Sequence, residues 1–156
     1  MPVDLDRIIC PECSRHDLGA TSKKRALEMA SELLSEQHPE LDAGDLFDAL
    51  MARERLGSTA VGEGVAIPHC RLADCDRPMA ALLHLQEPVQ FDAPDHVPVD
   101  LLFVLVVPRE EHETHLKILA TAAAALNDPD YRHALREAGD DWTLHDQAVH
   151  PRFATS

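Results

Sequence analysis

The apolar run at residues 99–107 constrains the fold of this chain more than any other feature. Apart from Asp100, every residue from Val99 to Val107 is apolar, and most are Val or Leu. A strand of this composition is covered on both faces, as the central strands of α/β sheets are. The run is far shorter than the roughly 20 residues that cross a bilayer. We therefore predict a buried central strand with helices packed on each side.

Helical and strand patterns alternate around this run. Apolar spacing and capping residues predict helices over 22–37, 42–55, 113–126 and 131–138, and strands over 3–10, 65–67 and 79–86. The helix over 113–126 is predicted to bury Leu116, Leu119, Ala123 and Leu126. The predicted fold class is α/β, a single domain with a mixed β-sheet flanked by helices on both faces. The domain is placed at residues 1–140, and residues 141–156 are predicted to form a polar, loosely ordered C-terminal tail.

The charge balance limits the partners. The chain has 14 basic and 28 acidic residues, a formal net charge of −14. This charge opposes binding to nucleic acid and to anionic lipid, so we expect no nucleic-acid partner and no membrane insertion, and it favours a basic protein partner. Residues 1–4 lack the basic start and apolar run of a signal peptide, so a cytoplasmic location is expected. The sequence leaves open whether the chain forms a homodimer.

Cys10 and Cys13 have CxxC spacing, which is found in zinc and redox sites. His16 would be the third ligand of a zinc site. No second pair with this spacing follows, since Cys70 and Cys75 are further apart. The favoured interpretation is therefore a pair of free thiols, and neither a metal nor a cofactor is expected.

Two of the ten histidines lie where predicted strands end. His69 follows the strand over 65–67 and Pro68, and His115 stands near the start of the helix that follows the buried strand. Sites in α/β proteins gather at such strand ends. Spacing alone still favours a structural or surface role for each. The glycines Gly57 and Gly62 have P-loop spacing, but Glu63 stands where a nucleotide-binding loop needs Lys.

Three linked blocks carry a resemblance to a known family. They are RERLGSTAVGEGVAIPH at 53–69, PVDLLFVLVVP at 98–108 and THLKILA at 114–120. Their order and spacing resemble the enzyme IIA domains of the phosphoenolpyruvate-dependent phosphotransferase system, in its fructose/mannitol/nitrogen-regulatory family. Within that family the chain is most similar to the free-standing nitrogen-regulatory type.

The resemblance implies a phosphotransferase component with a phosphohistidine intermediate. The phosphorylated histidine corresponds to His69, the second active-site histidine to His115 and the phosphate-facing arginine to Arg53. Ser58 and Thr59 are expected to help bind the phosphoryl group. Cys70 stands where the family usually has glycine, which puts a thiol next to the acceptor in the sequence.

The resemblance also implies partners. A histidine phosphocarrier protein is the expected donor, and the chain is expected to regulate a protein target through its phosphorylation state. The alternative is a separate subunit that passes phosphate to a fructose- or mannitol-type sugar permease. A binding module whose phosphorylation site is inactive is a third possibility.

Overall fold

The computed structural model describes residues 5–110 and 112–150. A short 3-10 helix at Leu5–Arg7 precedes six strands, which are β1 (Ile9–Leu18), β2 (Ala60–Gly62), β3 (Val65–Ala66), β4 (His69–Leu72), β5 (Met79–Val89) and β6 (Val99–Pro108). The five α-helices of the described chain are α1 (Lys23–Gln37), α2 (Ala43–Arg55), α3 (Glu113–Leu126), α4 (Pro129–Glu137) and α5 (Asp141–Val149). In that part of the chain, every helix is too short or too polar to cross a membrane.

The apolar run forms β6, the strand with most partners in the sheet. The strand order is β1-β5-β6-β3-β2, with β4 also pairing with β6. Strand β6 runs antiparallel to β5 and parallel to β3 and β4, so the sheet is mixed.

Alternate residues of β6 enter two separate hydrophobic cores. Leu102, Val104 and Val106 join the core beneath α1 and α2. Leu101, Phe103, Leu105 and Val107 join the core beneath α3, α4 and α5. Because successive side chains of a strand point to opposite faces, a strand that is apolar throughout must be covered on both. The predicted α/β fold, with helices on both faces of a mixed sheet, is confirmed.

Capping residues begin the first two helices at the predicted places. The Ser22 side chain accepts a hydrogen bond from the backbone N–H of Arg25, and the Asp42 side chain accepts one from that of Asp45. Such caps satisfy backbone donors that have no partner within the helix.

Helix α3 is placed as predicted, but its buried face is shifted. The buried residues are His115, Ile118, Ala122 and Leu126. Leu116 is 65% exposed, and Ala123 is also exposed, so the prediction that these two are buried is wrong. Apolar residues lie on two neighbouring faces of this Ala-rich helix, and only packing against the sheet determines which face is buried.

The first strand lies later in the chain than predicted. Residues 5–7 form the 3-10 helix, and β1 begins at Ile9, so only the end of the predicted strand over 3–10 is a strand. Residues 3 and 4 lie outside the described residues. Strand β1 is an edge strand that contains Pro11 and Glu12. Its mixed composition lacks the alternation of apolar and polar residues that predicts a strand.

The structure differs from the predicted polar tail at residues 141–149, which form α5. Asp140 caps this helix by accepting a hydrogen bond from the backbone N–H of Thr143 at 2.7 Å. Leu144 and Ala148 are fully buried beside the sheet, and His145 Nε2 lies 2.9 Å from the Ile9 carbonyl oxygen. Few apolar residues suffice here because the helix is short and docks on β1. Residues 151–156 of the predicted tail lie outside the described part of the chain.

Candidate functional site

His69 is the first residue of β4, and its backbone is held against the central strand. Strands β3 and β4 lie one after the other along β6, with Ala66 opposite Leu102 and His69 opposite Leu105. Pro68 interrupts them because it has no backbone N–H to donate. Its carbonyl oxygen still accepts a hydrogen bond from the Leu105 N–H at 2.9 Å. The acceptor predicted from the sequence is therefore carried by a short, fixed segment.

The hydrogen bonds of His69 define its tautomer. Nδ1 lies 2.7 Å from the Ile67 carbonyl oxygen, which can only accept, so Nδ1 carries the proton. Nε2 is left with a lone pair, and the Arg53 Nε–H donates to it at 3.4 Å. Burial is the main cause that lowers the pKa of His69, and the Arg53 charge adds to it, although the bond to Ile67 acts in the opposite direction. The ring is thus neutral near pH 7, with its lone pair on Nε2.

His115, in the first turn of α3, is the neighbour of His69. The two ring centroids lie 5.3 Å apart, with the planes inclined at 64°. The Arg71 Nε–H donates to His115 Nδ1 at 3.2 Å, which leaves the proton of the neutral ring on Nε2. That Nε2 is buried, and no residue in the described chain accepts a hydrogen bond from it. Burial, with the nearby charges of His69 and Arg71, lowers the pKa of His115 to about 4.

Two arginines border the histidine pair. Arg53 lies in the last turn of α2, and its Nη1 donates to the Gly57 carbonyl oxygen at 2.9 Å. Arg71 is exposed and lies two residues beyond His69, so it shares a face of β4 with it. The pocket is lined by Ala49, Ala52, Arg53, Leu56, His69, Cys70, Arg71 and His115. It combines a nucleophilic lone pair, an N–H donor and two guanidinium groups, which suits a phosphoryl group.

Sequence reasoning missed Arg71. The available signal was its position two residues after His69, but that position is informative only when both residues lie on one strand. Strand β4 has four residues and follows a proline, so it was not predicted.

Ser58 and Thr59 do not line the pocket. The Ser58 hydroxyl donates to the Phe91 carbonyl oxygen at 2.6 Å. The Thr59 N–H and hydroxyl both donate to Oε1 of Glu54, a buried carboxylate whose other oxygen lies 3.2 Å from Lys23 Nζ. Both residues therefore fix the loop between α2 and β2, and the structure does not place them as the phosphate ligands that we predicted.

Cys70 is among the residues that line the pocket, but its side chain packs in the hydrophobic core. Its side chain is 8% exposed and packs in the core beneath α1 and α2. Adjacent residues of a strand point to opposite faces, so the thiol and the His69 ring diverge. Burial raises the pKa of Cys70 to about 12, which keeps the thiol protonated.

The chain is similar to known proteins in sequence and in fold. Residues 7–147 match the family model described as "Phosphoenolpyruvate-dependent sugar phosphotransferase system, EIIA 2". A nitrogen regulatory protein of Pseudomonas aeruginosa is 49% identical over 136 residues, which cover 87% of this chain and 88% of that protein. A fructose-specific EIIA component of Haloferax volcanii is 34% identical over 125 residues, 80% of this chain and 81% of that protein.

A solved structure shows the same fold. The nitrogen regulatory protein IIA-Ntr of Neisseria meningitidis superposes with a TM-score of 0.86 at 36% sequence identity. The superposition covers 92% of this chain and 98% of that one. The family model spans most of the chain, and each of these relatives covers at least 80% of it. The chain therefore belongs to the EIIA 2 family of the phosphoenolpyruvate-dependent sugar phosphotransferase system.

Proposed function

We propose that this chain accepts a phosphoryl group on Nε2 of His69 from the phosphohistidine of a histidine phosphocarrier protein. The observation that carries the proposal is the tautomer of His69. The Nδ1–H is bound to the Ile67 carbonyl, so the lone pair on Nε2 faces the pocket that Arg53 and His115 border. As the new N–P bond forms, the donor's N–P bond breaks, and its electron pair returns to the donor imidazole. The phosphoramidate formed can pass the group on.

The surrounding side chains would bind the phosphoryl oxygens. His115 offers its buried Nε2–H, and Arg53 offers guanidinium N–H groups beside the acceptor nitrogen. Arg71 orients the His115 ring through Nδ1 and adds positive charge at the pocket mouth. Phosphoryl transfer depends mainly on in-line positioning and on neutralising the charge of the equatorial oxygens, and these groups supply both.

An apolar rim would receive the donor. Leu56 is 84% exposed and lines the pocket, and Leu116, next to His115, is 65% exposed. Large exposed apolar side chains beside a charged pocket are typical of protein contacts. A donor that presents its phosphohistidine within an apolar surface would cover both leucines. We place the protein in the cytoplasm, where such a donor works.

The client is proposed to be a regulated protein. Two relatives, one of them 49% identical, are named nitrogen regulatory proteins. Phosphorylation adds about −1.5 to −2 charge, and a target in contact with the pocket would sense this change directly.

The test is phosphorylation of the full chain by phosphoenolpyruvate and the upstream phosphotransferases. We expect an acid-labile, alkali-stable phosphoadduct that His69→Gln abolishes. The matched control is His133→Gln, at an exposed position on α4, which should label like the wild type. Normal labelling of His69→Gln would refute the assignment. If the wild type does not label at all, the chain is a binding module with an inactive site.

A second candidate is a subunit that feeds a sugar permease, favoured by the similarity to the fructose-specific EIIA component. The two functions differ in what happens to the bound phosphate. The labelled chain should transfer its phosphate to the IIB domain of a fructose- or mannitol-type permease only under the permease function. Retention of the label in the presence of that domain supports regulation.

A further inference from the structure

Two thiols and an imidazole form a cluster outside the phosphorylation pocket. The ligand atoms of Cys10, Cys13 and His38 all lie within 4.8 Å of one another. The Sγ atoms of Cys10 and Cys13 are 3.1 Å apart. The sequence suggested His16 as the third member, but His16 is not in this cluster, and its ring lies 6.3 Å from that of His84.

A bulge in β1 brings the two cysteines together. In a regular strand, residues three apart point to opposite faces. Here β1 advances five residues from Ile9 to Ser14, while β5 advances only two from Ala80 to Leu82. The extra residues lie at 10–13 within this edge strand, and the register shift allows the two sulfurs to approach each other. Bulges of this kind often re-aim side chains at functional sites.

His38 provides an independent observation. It ends α1, where its backbone N–H donates to the Leu34 carbonyl oxygen at 2.8 Å. The residue is only 9% exposed, and its Nε2 is buried with no hydrogen-bond partner among the residues described. A buried polar atom without a partner is destabilising, so such atoms are rare unless another group satisfies them.

We propose that Cys10, Cys13 and His38 form a zinc site that joins the bulge of β1 to the end of α1. Two thiolates and one imidazole are a preferred ligand set for zinc, and a water molecule would complete the tetrahedron. Cys10 is half-buried, which leaves a side open for that water. Zinc would displace the protons of both thiols. A disulfide between the cysteines is a weaker explanation, because it would leave the His38 nitrogen unsatisfied.

The experiment uses the reduced full-length chain, loaded with Zn²⁺ or with Co²⁺ as a spectroscopic probe. We expect stoichiometric zinc by elemental analysis and a thiolate-to-cobalt charge-transfer band in the near ultraviolet. Cys10→Ser and His38→Gln should each weaken zinc binding by roughly 100-fold or more, measured by competition with a chromophoric chelator. Removal of zinc from the wild type should lower its melting temperature.

Matched controls separate this site from adventitious binding. His16→Gln and Cys75→Ser, which change the same residue types outside the cluster, should leave affinity and the cobalt band unchanged. The proposal is overturned if the reduced protein binds no zinc. It is equally overturned if Cys10→Ser and His38→Gln bind zinc like the wild type, or if only a Cys10–Cys13 disulfide is found. Phosphorylation of His69 is measured separately, and neither result bears on the other.

Discussion

The two histidines of the pocket have complementary protonation states that are set by single hydrogen bonds. Ile67 holds the proton of His69 on Nδ1, and Arg71 holds that of His115 on Nε2. One ring therefore presents a lone pair, and the other presents an N–H. The two tautomers are set before any phosphoryl group arrives, and transfer would require the Arg53 Nε–H to move from His69 Nε2 to the phosphoryl oxygens.

The low pKa of His115 makes the stability of the fold depend on pH. Its ordinary pKa is 6.5 and the folded value is about 4, so between these values the unfolded chain binds the proton more readily. The contribution of His115 to stability is therefore complete above pH 6.5 and is lost as the pH falls towards 4. We expect His115→Gln to flatten the pH dependence of the unfolding free energy in this window, measured by urea denaturation. An unchanged slope in His115→Gln, or an equal change in His133→Gln, would contradict this assignment.

Cys70 should be inert despite its place beside the acceptor. Because burial keeps its thiol protonated, iodoacetamide at neutral pH should label Cys70 far more slowly than half-buried Cys10, as mass spectrometry can show. Cys70→Ala should lower the unfolding free energy by about 1 kcal/mol and leave phosphorylation unchanged. Rapid labelling of Cys70, or a loss of phosphorylation in Cys70→Ala, would place the thiol in the reactive pocket.

At the scale of secondary-structure elements, the sequence predicts a helix or strand well when the residues that stabilise it lie within the element itself. Strand β6 and helices α1 and α2 carry their own signals, which are continuous apolar residues and side-chain caps. The signals of β4 and α5 are weaker, because β4 has only four residues and α5, although Asp140 caps it, has few apolar residues; β4 is stabilised by pairing with β6, and α5 by docking on β1. The strands that stabilise β4 and α5 lie far away in the sequence, so the local sequence pattern alone does not predict these two elements.

The same distinction explains which site residues could be predicted. Arg53, His69 and His115 lie within blocks that resemble the family, and the structure brings them into one pocket. Arg71 depends on β4 being a strand. Ser58 and Thr59 lie in a matching block, but the buried Glu54 carboxylate and the Phe91 carbonyl take up their hydroxyls. Proximity in the sequence did not reveal those competing partners.

A buried hydroxyl on α4 contributes to the docking of helix α5. The Tyr131 hydroxyl on α4 donates to the Ala148 carbonyl oxygen at 2.7 Å, and both residues are buried in the core beneath α3, α4 and α5. Tyr131→Phe leaves that acceptor buried without this donor, so we expect a loss of about 1–2 kcal/mol in unfolding free energy, measured by circular dichroism in urea. Trp142→Phe, at a position on α5 that is 67% exposed, is the control and should change stability by less than about 0.5 kcal/mol. Equal stability of Tyr131→Phe and the wild type would show that this bond does not hold α5.

At the scale of the whole molecule, a strongly acidic protein surrounds a pocket with two arginines. The net charge of −14 should attract a donor with a basic face and speed its encounter. We expect the rate of phosphoryl transfer at low reactant concentration to fall several-fold as salt is raised, because the screening length drops to about 8 Å at physiological ionic strength.

The apolar rim supplies the control for this expectation. Leu116→Ser should lower the transfer rate by a similar factor at every salt concentration, since it removes contact area and no charge. A wild-type rate that is insensitive to salt would show that the long-range field of the protein does not guide docking.

The successive pairing of β3 and β4 with β6 has a consequence for signalling. With the backbone of His69 pinned to the central strand, a phosphate on its ring has little scope to alter the shape of distant surfaces. Under the proposed function, a target could distinguish the phosphorylated from the unphosphorylated protein only by binding directly at the pocket. Donor and target would then compete for the same surface. A bound target would protect His69 from both phosphorylation and dephosphorylation. The ratio of phosphorylated to unphosphorylated protein in the cell would therefore depend on the concentration of the target.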